Sequence, residues 1–543
     1  MRVLLLLCVC LAMPAVVLAG PIVVEEGRVE DWQVRDLGIE ILDAPVVGEQ
    51  PVGWYGQRAI LSLKAEPARR LPLAGLVQLT GATYRPVPVT AGEATPQVQL
   101  DLPPARIVQV RRAERPDGER LVIELDRPAF YQIERDATGE VRLVIDAAPM
   151  ANTVDSRTGP ALQSVRLISG EQSTVIAMAP QPVSFPTITT LGAPARLVVD
   201  WHILGREEQV QAWGEGLLYR RLQLIWEGRP RRVDILELTP GTPGLRWGVL
   251  RADTSTSAVL PLSIMAQRQG AWAAVNGGFF NRDLGEALGV VRSQGTWLGG
   301  PVAGLSARGA VGWSDKGEVR FDRLEWRGTV QLGEQRFTFG ALNNTQAGVP
   351  VAVYTPVWGP TYQTRTGLET VAVVRDGLIQ SVQTAVPGQP MLVPIDGWLL
   401  VIRQGAVGQV RLSAGMTATY QIDSQAFADL PNVLAAGPLL IQQGQVVLDA
   451  DKEQFRPDVR ADNVARTVVA RRGEQVLLAV VNRQPGAVGM SLEALTRFLV
   501  DQLKTSDALN LDGGGSSGLY LGGYLRDRAR GVFERPVANG LGV

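Results

Sequence analysis

The residues best suited to chemistry lie in two glycine-rich segments of the sequence that share one design. In each segment an apolar stretch delivers one polar side chain and then runs directly into glycines. Glycine adopts positive φ without strain, and several backbone N–H groups in a row can bind an anion. The residues concerned are Asn276, Gly277 and Gly278 in the first segment and Asp512, Gly513, Gly514, Gly515, Ser516 and Ser517 in the second. A lone Gly-Gly pair favours a tight turn, but two copies of this design favour a binding site.

The composition excludes several common catalytic devices. His202 is the only histidine, and both cysteines, Cys8 and Cys10, fall within the first 19 residues. A His-ligated zinc cluster is therefore impossible, and a mature chain that begins near Gly20 has neither a disulfide nor a cysteine nucleophile. No histidine follows the second glycine segment, which excludes a hydrolase triad built on it. The chemistry must come from carboxylates, arginines, hydroxyls, amides and backbone groups.

Each glycine segment follows a predicted helix and a short apolar strand. The first helix is predicted over 262–269 and the second over 492–503, where Ser491 can cap the N-terminus and leucines form one apolar stripe. Short strands and glycine turns are predicted for the rest of residues 210–543. We therefore expect this C-terminal region to be an α+β domain.

Overall composition narrows the class of protein further. The net charge of −1 over 543 residues gives no field that would recruit nucleic acid or an anionic membrane. The 59 glycines and 35 prolines favour a turn-rich β or α+β protein over a helical bundle. A hydrophobic fraction of 45% is too high for a disordered chain and is sufficient for several cores.

The N-terminal 102 residues are predicted to hold a leader and a β-rich region. Residues 1–19 are predicted to be a secretory signal peptide, because Arg2 precedes an apolar run at 3–11 that is short for a bilayer span. An uncleaved membrane anchor is the alternative. Residues 20–102 are predicted to be β-rich and to end in a proline-rich linker near 86–104.

Residues 105–201 show a clearer strand pattern. Alternating or continuous apolar runs are separated by turn signals such as Pro116-Asp117-Gly118, which predicts an all-β sandwich. The patterns at 121–126 and 142–146 resemble AMIN domains, which are associated with peptidoglycan or envelope targeting. A plain β-spacer is the alternative.

Further motifs accompany the two glycine segments in a fixed order. They occur at 354–359, 367–369, 376–377, 436–440, 465–467 and 534–539. Over about residues 215–543 this order resembles the bacterial phosphodiester glycosidase family. The resemblance implies hydrolysis of the bond between a sugar's anomeric carbon and a phosphodiester oxygen. Together with the predicted signal peptide, it leads us to expect a secreted hydrolase that acts on envelope or extracellular glycoconjugates.

The chemistry implied by this resemblance suggests a role for each candidate residue. A phosphate monoester leaves readily, so the reaction needs anion stabilisation and a carboxylate more than it needs a strong general acid. Asp512 is the first candidate for the nucleophile or base, and Glu369 and Asp396 are the second. Arg466 and Arg535 suit the phosphate because a guanidinium pairs two oxygens in a fork. The glycine segments and the Ser516 and Ser517 hydroxyls would also bind the substrate.

These assignments have alternatives. The two arginines could tie loops together by salt bridges, and Glu369 could face solvent from a strand. Asp512 could cap its own turn or hold a divalent cation with carbonyl oxygens. No cofactor is predicted with certainty, a divalent cation stays open, and metal ligands are unknown. The alternative functions are a non-catalytic protein that binds cell wall or polysaccharide, and a phosphodiesterase that cuts on the phosphorus side.

The sequence departs from the family pattern at three places. Asn482-Arg483 stands where the family commonly has Asp-Gly-Arg, and Gly518-Leu519 follows the serines where the family has Thr-Met. Residues 525–528 replace an Asn-x-Pro-Ser stretch. The last two departures put the identity of the substrate in question.

The sequence therefore predicts a multidomain protein with β-rich N-terminal modules followed by a C-terminal α+β catalytic domain. Its expected partners are a sugar-phosphate or polysaccharide substrate and, through the N-terminal β domains, peptidoglycan or the cell wall. No nucleic acid partner is expected, and no membrane span is expected in the mature chain. The expected location is secreted, periplasmic or at the cell envelope.

Overall fold

The computed structural model describes most of the chain from residue 20 onward. The described residues are 20–65, 68–88, 95–136, 138–149, 154–170, 172–252, 258–301, 307–345, 348–364, 366–403, 410–461, 463–483, 487–528 and 532–543. The predicted signal peptide and the middle of the predicted linker lie outside these residues. Strands make up 52% of the structure and helices 9%, which confirms a β-rich protein.

The chain divides into two compact units. The N-terminal unit comprises the described residues of Met1–Asp43, Gly48–Lys64 and Arg70–Gly205. The C-terminal unit comprises those of Ala44–Val47, Ala65–Arg69 and Arg206–Val543. The domain boundaries predicted from the sequence at 102–105 and 201–210 stay predictions.

Two short helices and a series of strands make up residues 20–205. The helices are α1 (Asp31–Asp36) and α2 (Leu73–Thr80). The strands are β1 (Ile22–Val23), β2 (Arg28–Glu30), β3 (Glu40–Ile41), β4 (Glu49–Trp54), β5 (Gln57–Ser62), β6 (Lys64–Ala65), β7 (Arg69–Pro72), β8 (Thr83–Val87), β9 (Gln97–Asp101), β10 (Ala105–Arg115), β11 (Gly118–Leu125), β12 (Tyr131–Arg135), β13 (Val141–Ile145), β14 (Ala147–Ala148), β15 (Leu162–Ser169), β16 (Thr174–Pro180), β17 (Phe185–Leu191) and β18 (Ala195–His202).

Residues 105–202 form two antiparallel-rich sheets around one core, as the strand pattern predicts. One sheet has the order β14-β10-β11-β18-β17 and the other β12-β13-β16-β15. Alternate residues of β11, such as Leu121 and Ile123, are buried and lie opposite Val199 and Leu197 of β18. They share a core with Ile176 of the second sheet and with residues of 20–102. The AMIN-like character of this region stays a prediction.

The C-terminal unit contains three further helices and the remaining strands. The helices are α3 (Leu262–Arg268), α4 (Pro457–Ala461) and α5 (Leu492–Asp501). The strands are β19 (Arg206–Gly214), β20 (Leu217–Trp226), β21 (Arg229–Leu238), β22 (Gly248–Arg251), β23 (Ala273–Asn276), β24 (Val291–Ser293), β25 (Thr296–Gly299), β26 (Ala307–Trp313), β27 (Val319–Glu325), β28 (Arg327–Leu332), β29 (Gln335–Phe339), β30 (Ala341–Leu342), β31 (Val351–Tyr354), β32 (Thr361–Tyr362), β33 (Glu369–Arg375), β34 (Leu378–Ala385), β35 (Met391–Leu392), β36 (Gly397–Ile402), β37 (Ala418–Asp423), β38 (Asn432–Ala435), β39 (Leu439–Gln442), β40 (Gln445–Val446), β41 (Arg466–Arg472), β42 (Gln475–Val481), β43 (Asp507–Asn510), β44 (Leu519–Leu521), β45 (Tyr524–Leu525) and β46 (Asn539–Gly542).

Two sheets and two helices of this unit form four layers. The first sheet has eight antiparallel strands in the order β19-β20-β21-β42-β41-β43-β39-β40, and the second has the order β22-β46-β23-β44-β45. Because side chains alternate across a strand, Val469 of β41 and Val275 of β23 share the core between the sheets. Val468 faces the other way and packs with α5, and Ala274 packs with α3.

Helices α3 and α5 confirm the two helices predicted ahead of the glycine segments. In α5 the Ala494 N–H donates to the Ser491 hydroxyl at 3.2 Å, which is the predicted cap. The α+β class predicted for this region is not confirmed, because strands dominate it. Among the described helices, none is long and apolar enough to cross a membrane.

The remaining sheets of the unit lie in residues 291–435. They have the orders β25-β24-β38-β26-β27, β29-β28-β37 and β30-β31-β36-β33-β34, with β32 and β35 as a separate pair. Residues of the first three sheets share one hydrophobic core that includes Ala310, Val330 and Leu400.

Candidate functional site

The two glycine segments meet where the two layered sheets end. Asn276 is the last residue of β23 in the five-stranded sheet, and Asp512 follows β43 in the eight-stranded sheet by two residues. The Asp512 N–H donates to the Gly277 carbonyl at 3.0 Å. Segments more than 230 residues apart in sequence therefore lie side by side.

Asn276 ties these segments together through its side chain. Its Nδ2 donates to the Asp512 carbonyl at 2.7 Å, while its Oδ1 accepts from the Thr467 hydroxyl at 2.6 Å and from the Gly518 N–H at 3.1 Å. The side chain is completely buried. A buried amide with three partners fixes the geometry of the site, which gives Asn276 an observed structural task beside its predicted binding role.

Gly277 and Gly278 are needed for close packing. The Gly277 N–H donates to the Asn539 carbonyl at 2.9 Å, and the Gly278 N–H donates to Asn539 Oδ1 at 2.8 Å. A Cβ on Gly277 would lie 2.1 Å from Asn539 Oδ1, so no side chain fits there. Both N–H groups are used inside the protein, and the structure thus ties this pair of glycines to Asn539.

The second glycine segment also uses most of its N–H groups internally. The Gly514 N–H donates to the Ala465 carbonyl at 2.7 Å, and the Ser516 and Ser517 N–H groups donate back to Gly513 and Gly514 at 3.2 Å. The Gly513 N–H donates to Asp512 Oδ1 at 3.0 Å. Within residues 512–517, all of which the structure describes, only the exposed Gly515 N–H has no acceptor. The predicted row of anion-binding N–H groups is therefore reduced to one available donor.

Two arginine side chains flank the second segment. A Cβ on Gly515 would lie 2.5 Å from Arg535 Cζ, so the missing side chain leaves room for this guanidinium. Arg466 is buried, donates from Nε to the Met490 carbonyl at 2.8 Å, and has a terminal nitrogen 3.9 Å from a Cβ built on Gly513. The two predicted phosphate-binding arginines therefore lie on the same glycine turn, and Arg535 is the more accessible of the pair.

Asp512 is a partly exposed carboxylate in a mixed environment. Burial raises the pKa of its carboxyl above the usual value, and the neighbouring Ser516 hydroxyl and Gly513 N–H oppose that rise. The positive charges of Arg282 and Arg535 oppose it further. A carboxylate with a raised pKa and nearby cations suits acid–base or nucleophilic work at a site that binds anions.

Both serines of the segment are buried. Ser516 lies beside the Asp512 carboxyl. Among the described residues, neither the Ser516 hydroxyl nor the Ser517 hydroxyl has a hydrogen-bond partner. A buried hydroxyl without a partner is uncommon, and it leaves a donor next to the glycine turn.

Glu369 lies in another sheet, at the start of β33. Its carboxylate accepts from the Tyr362 hydroxyl at 2.5 Å and from the Thr366 N–H and hydroxyl at 3.1 and 2.8 Å. Arg403 Nε completes a buried ion pair at 3.3 Å. Glu369 is 1% exposed, so the alternative that it faces solvent is wrong, and its oxygens are occupied by structural partners.

Asp396 lies on the surface, just before β36 of the same sheet. It pairs with Arg375 at 3.1 Å, and its side chain is 58% exposed. The structure therefore brings together all the predicted site residues except Glu369 and Asp396, which both belong to the sheet β30-β31-β36-β33-β34.

Two departures from the family pattern have structural partners here. Arg528 donates to the Ser517 carbonyl and to Asp527 Oδ2, and the other Asp527 oxygen accepts from the Leu519 N–H at 2.8 Å. Residues 525–528 thus brace the glycine turn. Asn482 donates to Asp234 Oδ2 at 2.7 Å, where an aspartate would place a second carboxylate against Asp234.

No group of three His, Cys, Asp or Glu side chains suited to a metal ion occurs among the residues that the structure describes. The structure therefore offers no cluster of such side chains around Asp512, among the residues it describes, that would indicate a divalent cation there. The positive charges of Arg282 and Arg535 near Asp512 favour an anionic ligand there.

Sequence reasoning missed three residues of the site. Thr467 and Asn539 are the last residues of the motifs at 465–467 and 534–539, and membership of these motifs is the sequence feature that could have identified them. Arg282 follows the first glycine segment by only four residues, but one arginine in an exposed loop gives no sequence signal.

Comparison with known proteins identifies a domain in the C-terminal unit. The sequence profile of the phosphodiester glycosidase family matches residues 368–543. This range includes Arg466, Asp512 and Arg535, and it excludes the first glycine segment. The resemblance seen from about residue 215 is thus supported over its C-terminal half. None of the curated proteins matches the chain.

The solved structures that match the chain include the following three. A hypothetical protein from Synechocystis is 31% identical, with a TM-score of 0.75 over 96% of this chain and 95% of that one. A protein from Burkholderia pseudomallei is 15% identical, with a TM-score of 0.47 over 80% of this chain and 96% of its own. The catalytic domain of zebrafish N-acetylglucosamine-1-phosphodiester alpha-N-acetylglucosaminidase, auto-inhibited by its pro-peptide, is 16% identical, with a TM-score of 0.31 over 63% of this chain and 89% of its own.

Proposed function

Because the chain belongs to the phosphodiester glycosidase family through residues 368–543, we propose that it hydrolyses the bond between a sugar's anomeric carbon and a phosphodiester oxygen. The observation that carries the proposal is the second glycine segment, which has the Asp512 carboxyl and the Arg535 guanidinium on one turn. This arrangement offers a carboxylate and an anion-binding group at the same place.

Arg535 and the Gly515 N–H would hold the phosphate. A guanidinium pairs two phosphate oxygens in parallel, and a nearby backbone N–H adds a fixed donor. Negative charge grows on the phosphate as the glycosidic bond breaks, so these donors would stabilise the transition state more than the ground state. Buried Arg466 would support the turn from below.

Asp512 would supply the carboxylate of the reaction. It would either attack the anomeric carbon or accept a proton from the attacking water, and both roles need an unprotonated oxygen that faces the substrate. A pKa that burial raises toward neutral makes such a carboxylate a better proton acceptor.

The test is hydrolysis of sugar-1-phosphodiesters and nucleotide sugars in ¹⁸O-labelled water. Label in the sugar supports the proposal, whereas label in the phosphate shows cleavage on the phosphorus side. Asp512→Asn keeps the shape of the side chain, and turnover should fall about a hundredfold or more. If wild-type protein binds these compounds but hydrolyses none of them, the result would favour a non-catalytic polysaccharide-binding protein.

We also propose that the protein works outside the cytoplasm. The predicted signal peptide at 1–19 and the predicted AMIN-like region at 105–201 support a location at the cell envelope, with the N-terminal unit contacting the cell wall. Mass spectrometry of exported protein should find a mature chain that begins near Gly20, and an intact Met1 would contradict export by cleavage.

A further inference from the structure

Arg308, in strand β26, is a buried arginine without a counter-ion. The residue is 8% exposed, and its Nε is buried without a hydrogen-bond partner. Among the described residues, no group accepts a hydrogen bond from its guanidinium and no carboxylate forms an ion pair with it. Burial lowers the pKa of this guanidinium below its usual value. Because an unpaired buried charge is costly, its presence indicates a partner that the chain itself does not supply.

The acidic side chain whose charge acts on Arg308 is Glu453, and both oxygens of that carboxylate are occupied. Its Oε2 accepts the Gly309 N–H at 2.8 Å, and its Oε1 accepts the Leu439 N–H at 3.0 Å and Arg323 Nε at 3.1 Å. The ion pair of Glu453 with Arg323 is neutral as a whole. One positive charge therefore remains at Arg308.

Two phenylalanine rings connect Arg308 to the first glycine segment. The guanidinium lies over the Phe455 ring, with its Cζ 4.3 Å from the ring centroid. The Phe455 centroid lies 5.2 Å from that of Phe279, which directly follows Gly278 in the sequence. Phe455 is buried and Phe279 is half-buried. The unpaired arginine thus lies on an aromatic row that leads to the candidate site.

The motif at 436–440 holds this row in place. The Ala436 N–H donates to the Gly309 carbonyl at 2.9 Å, which joins the motif to β26. Gly437 has a φ of +103°, and a Cβ there would lie 2.6 Å from Glu453 Oε2 and 3.1 Å from Phe455 Cε2. Glycine is therefore required for the chain to pass this close to both side chains. The motif has no task in the proposed phosphate chemistry, and its contacts give it one beside Arg308.

We propose that Arg308 binds a carboxylate on the sugar part of the substrate, as in a uronic acid. A guanidinium pairs both oxygens of a carboxylate in one plane. A flat group with one negative charge suits the small open area of Arg308 better than a tetrahedral phosphate with two, which costs more to desolvate. The place of this carboxylate on the sugar rests on the proposed function, which puts the phosphate at Arg535 on the other glycine segment.

Two arginines on neighbouring strands provide the test variant and its matched control. Arg308→Met keeps an unbranched side chain against Phe455 and removes the charge. Arg323→Met makes the same change in β27, where the arginine pairs with Glu453 and donates to the Val447 carbonyl at 2.8 Å. Loss of an unpaired buried charge should keep or raise the melting temperature, whereas loss of the partner of buried Glu453 should lower it.

The experiment is saturation-transfer NMR on the full chain with the methyl glycosides of glucuronic and galacturonic acid and of their neutral counterparts, glucose and galactose. Wild-type protein should bind at least one uronate about tenfold more tightly than its neutral counterpart. Arg308→Met should abolish that preference. Arg308→Lys should retain part of it, because lysine keeps the charge but not the planar fork. Arg323→Met should leave the preference unchanged.

Several results would overturn the inference. They are the absence of a uronate preference in wild-type protein, its persistence in Arg308→Met, and a melting temperature that falls as far in Arg308→Met as in Arg323→Met. Tighter binding of methyl glucoside 6-phosphate than of either uronate would overturn the choice of a carboxylate.

Dimethyl phosphate, a phosphodiester without a sugar, keeps this test separate from the proposed function. Its binding should depend on Arg535 and not on Arg308. The assay measures no hydrolysis, so a protein that prefers uronates but cleaves no sugar phosphodiester would sink the proposed function and keep this inference.

Discussion

Asp512 and Glu369 are carboxylates of the same unit in opposite situations. Glu369 has both oxygens occupied by Tyr362, Thr366 and Arg403, and it is 1% exposed. Asp512 is partly exposed and receives the adjacent Gly513 N–H and the field of two arginines. A carboxylate whose acceptor sites are filled holds the fold, whereas one with accessible oxygens beside an arginine can meet a substrate. Sequence position alone does not separate the two cases.

The largest effect that distinguishes Glu369 from Asp512 is expected in the stability of a Glu369 variant. Glu369→Gln removes the charge that balances buried Arg403, and breaking a buried ion pair from one side costs about 3 to 5 kcal/mol. The free energy of unfolding in urea should fall by this amount. The turnover of the fraction that remains folded should stay near wild type, and a large loss of turnover without a loss of stability would return Glu369 to the chemistry.

The next effect is expected at Arg535. Arg535→Lys keeps the charge but loses the planar fork, so kcat/KM on sugar-1-phosphodiesters should fall about tenfold, or ~1.4 kcal/mol. An aryl glycoside without a phosphate should be affected less. Arg466→Lys is the comparison, because this buried residue also loses its Nε bond to Met490 and should lower the melting temperature. Equal losses on both substrate classes would make Arg535 structural.

A pH-dependent effect on stability should distinguish Asp512 from an ordinary structural carboxylate. Because burial raises the pKa of Asp512 in the folded state, the folded protein holds this proton more tightly than the unfolded chain does. This contribution to stability is present at low pH and is lost as the pH rises through the window between the unfolded and folded pKa values. Asp512→Asn should therefore stabilise the protein at pH 7, because the asparagine side chain carries no charge to desolvate.

The measurement for this third comparison is the unfolding free energy of both proteins from pH 4 to 8. The gain from Asp512→Asn should shrink toward the acid end. A variant that is less stable than wild type at pH 7 would show that the charge at Asp512 holds the fold, as the charge at Glu369 does.

The smallest effect is expected at Asp396. Its pair with Arg375 is exposed, and exposed pairs contribute about 0 to 1 kcal/mol. Asp396→Asn should change the unfolding free energy by no more than about 0.5 kcal/mol. It should leave kcat/KM unchanged. A hundredfold loss of activity would show that this surface carboxylate reaches the substrate in a way that its present position does not indicate.

Much of the local structure was predictable from periodicity and capping. The helix before each glycine segment, the Ser491 cap and the strands of 105–201 follow from apolar spacing and turn residues, which are local properties of the chain. The α+β expectation for the C-terminal region failed to be confirmed because short apolar strands between glycine turns outnumber the helices there. The sheet partners of those strands are distant in sequence, so no local pattern announces them.

The sequence by itself determined the chemical inventory and the repeated polar–glycine design of 276–278 and 512–517. Because the chain has one histidine and both cysteines fall within the predicted signal peptide, the sequence left carboxylates, arginines, hydroxyls, amides and backbone groups as the candidates for chemistry. Only the tertiary structure decided that Asp512, and not Glu369 or Asp396, stands with the arginines. It also decided that nearly all glycine N–H groups are consumed by neighbours such as Asn539. The physical reason is that the burial of these side chains and the hydrogen-bond partners of these N–H groups depend on long-range packing. Strand β23 pairs with β46 in one sheet, and β43 pairs with β41 in another.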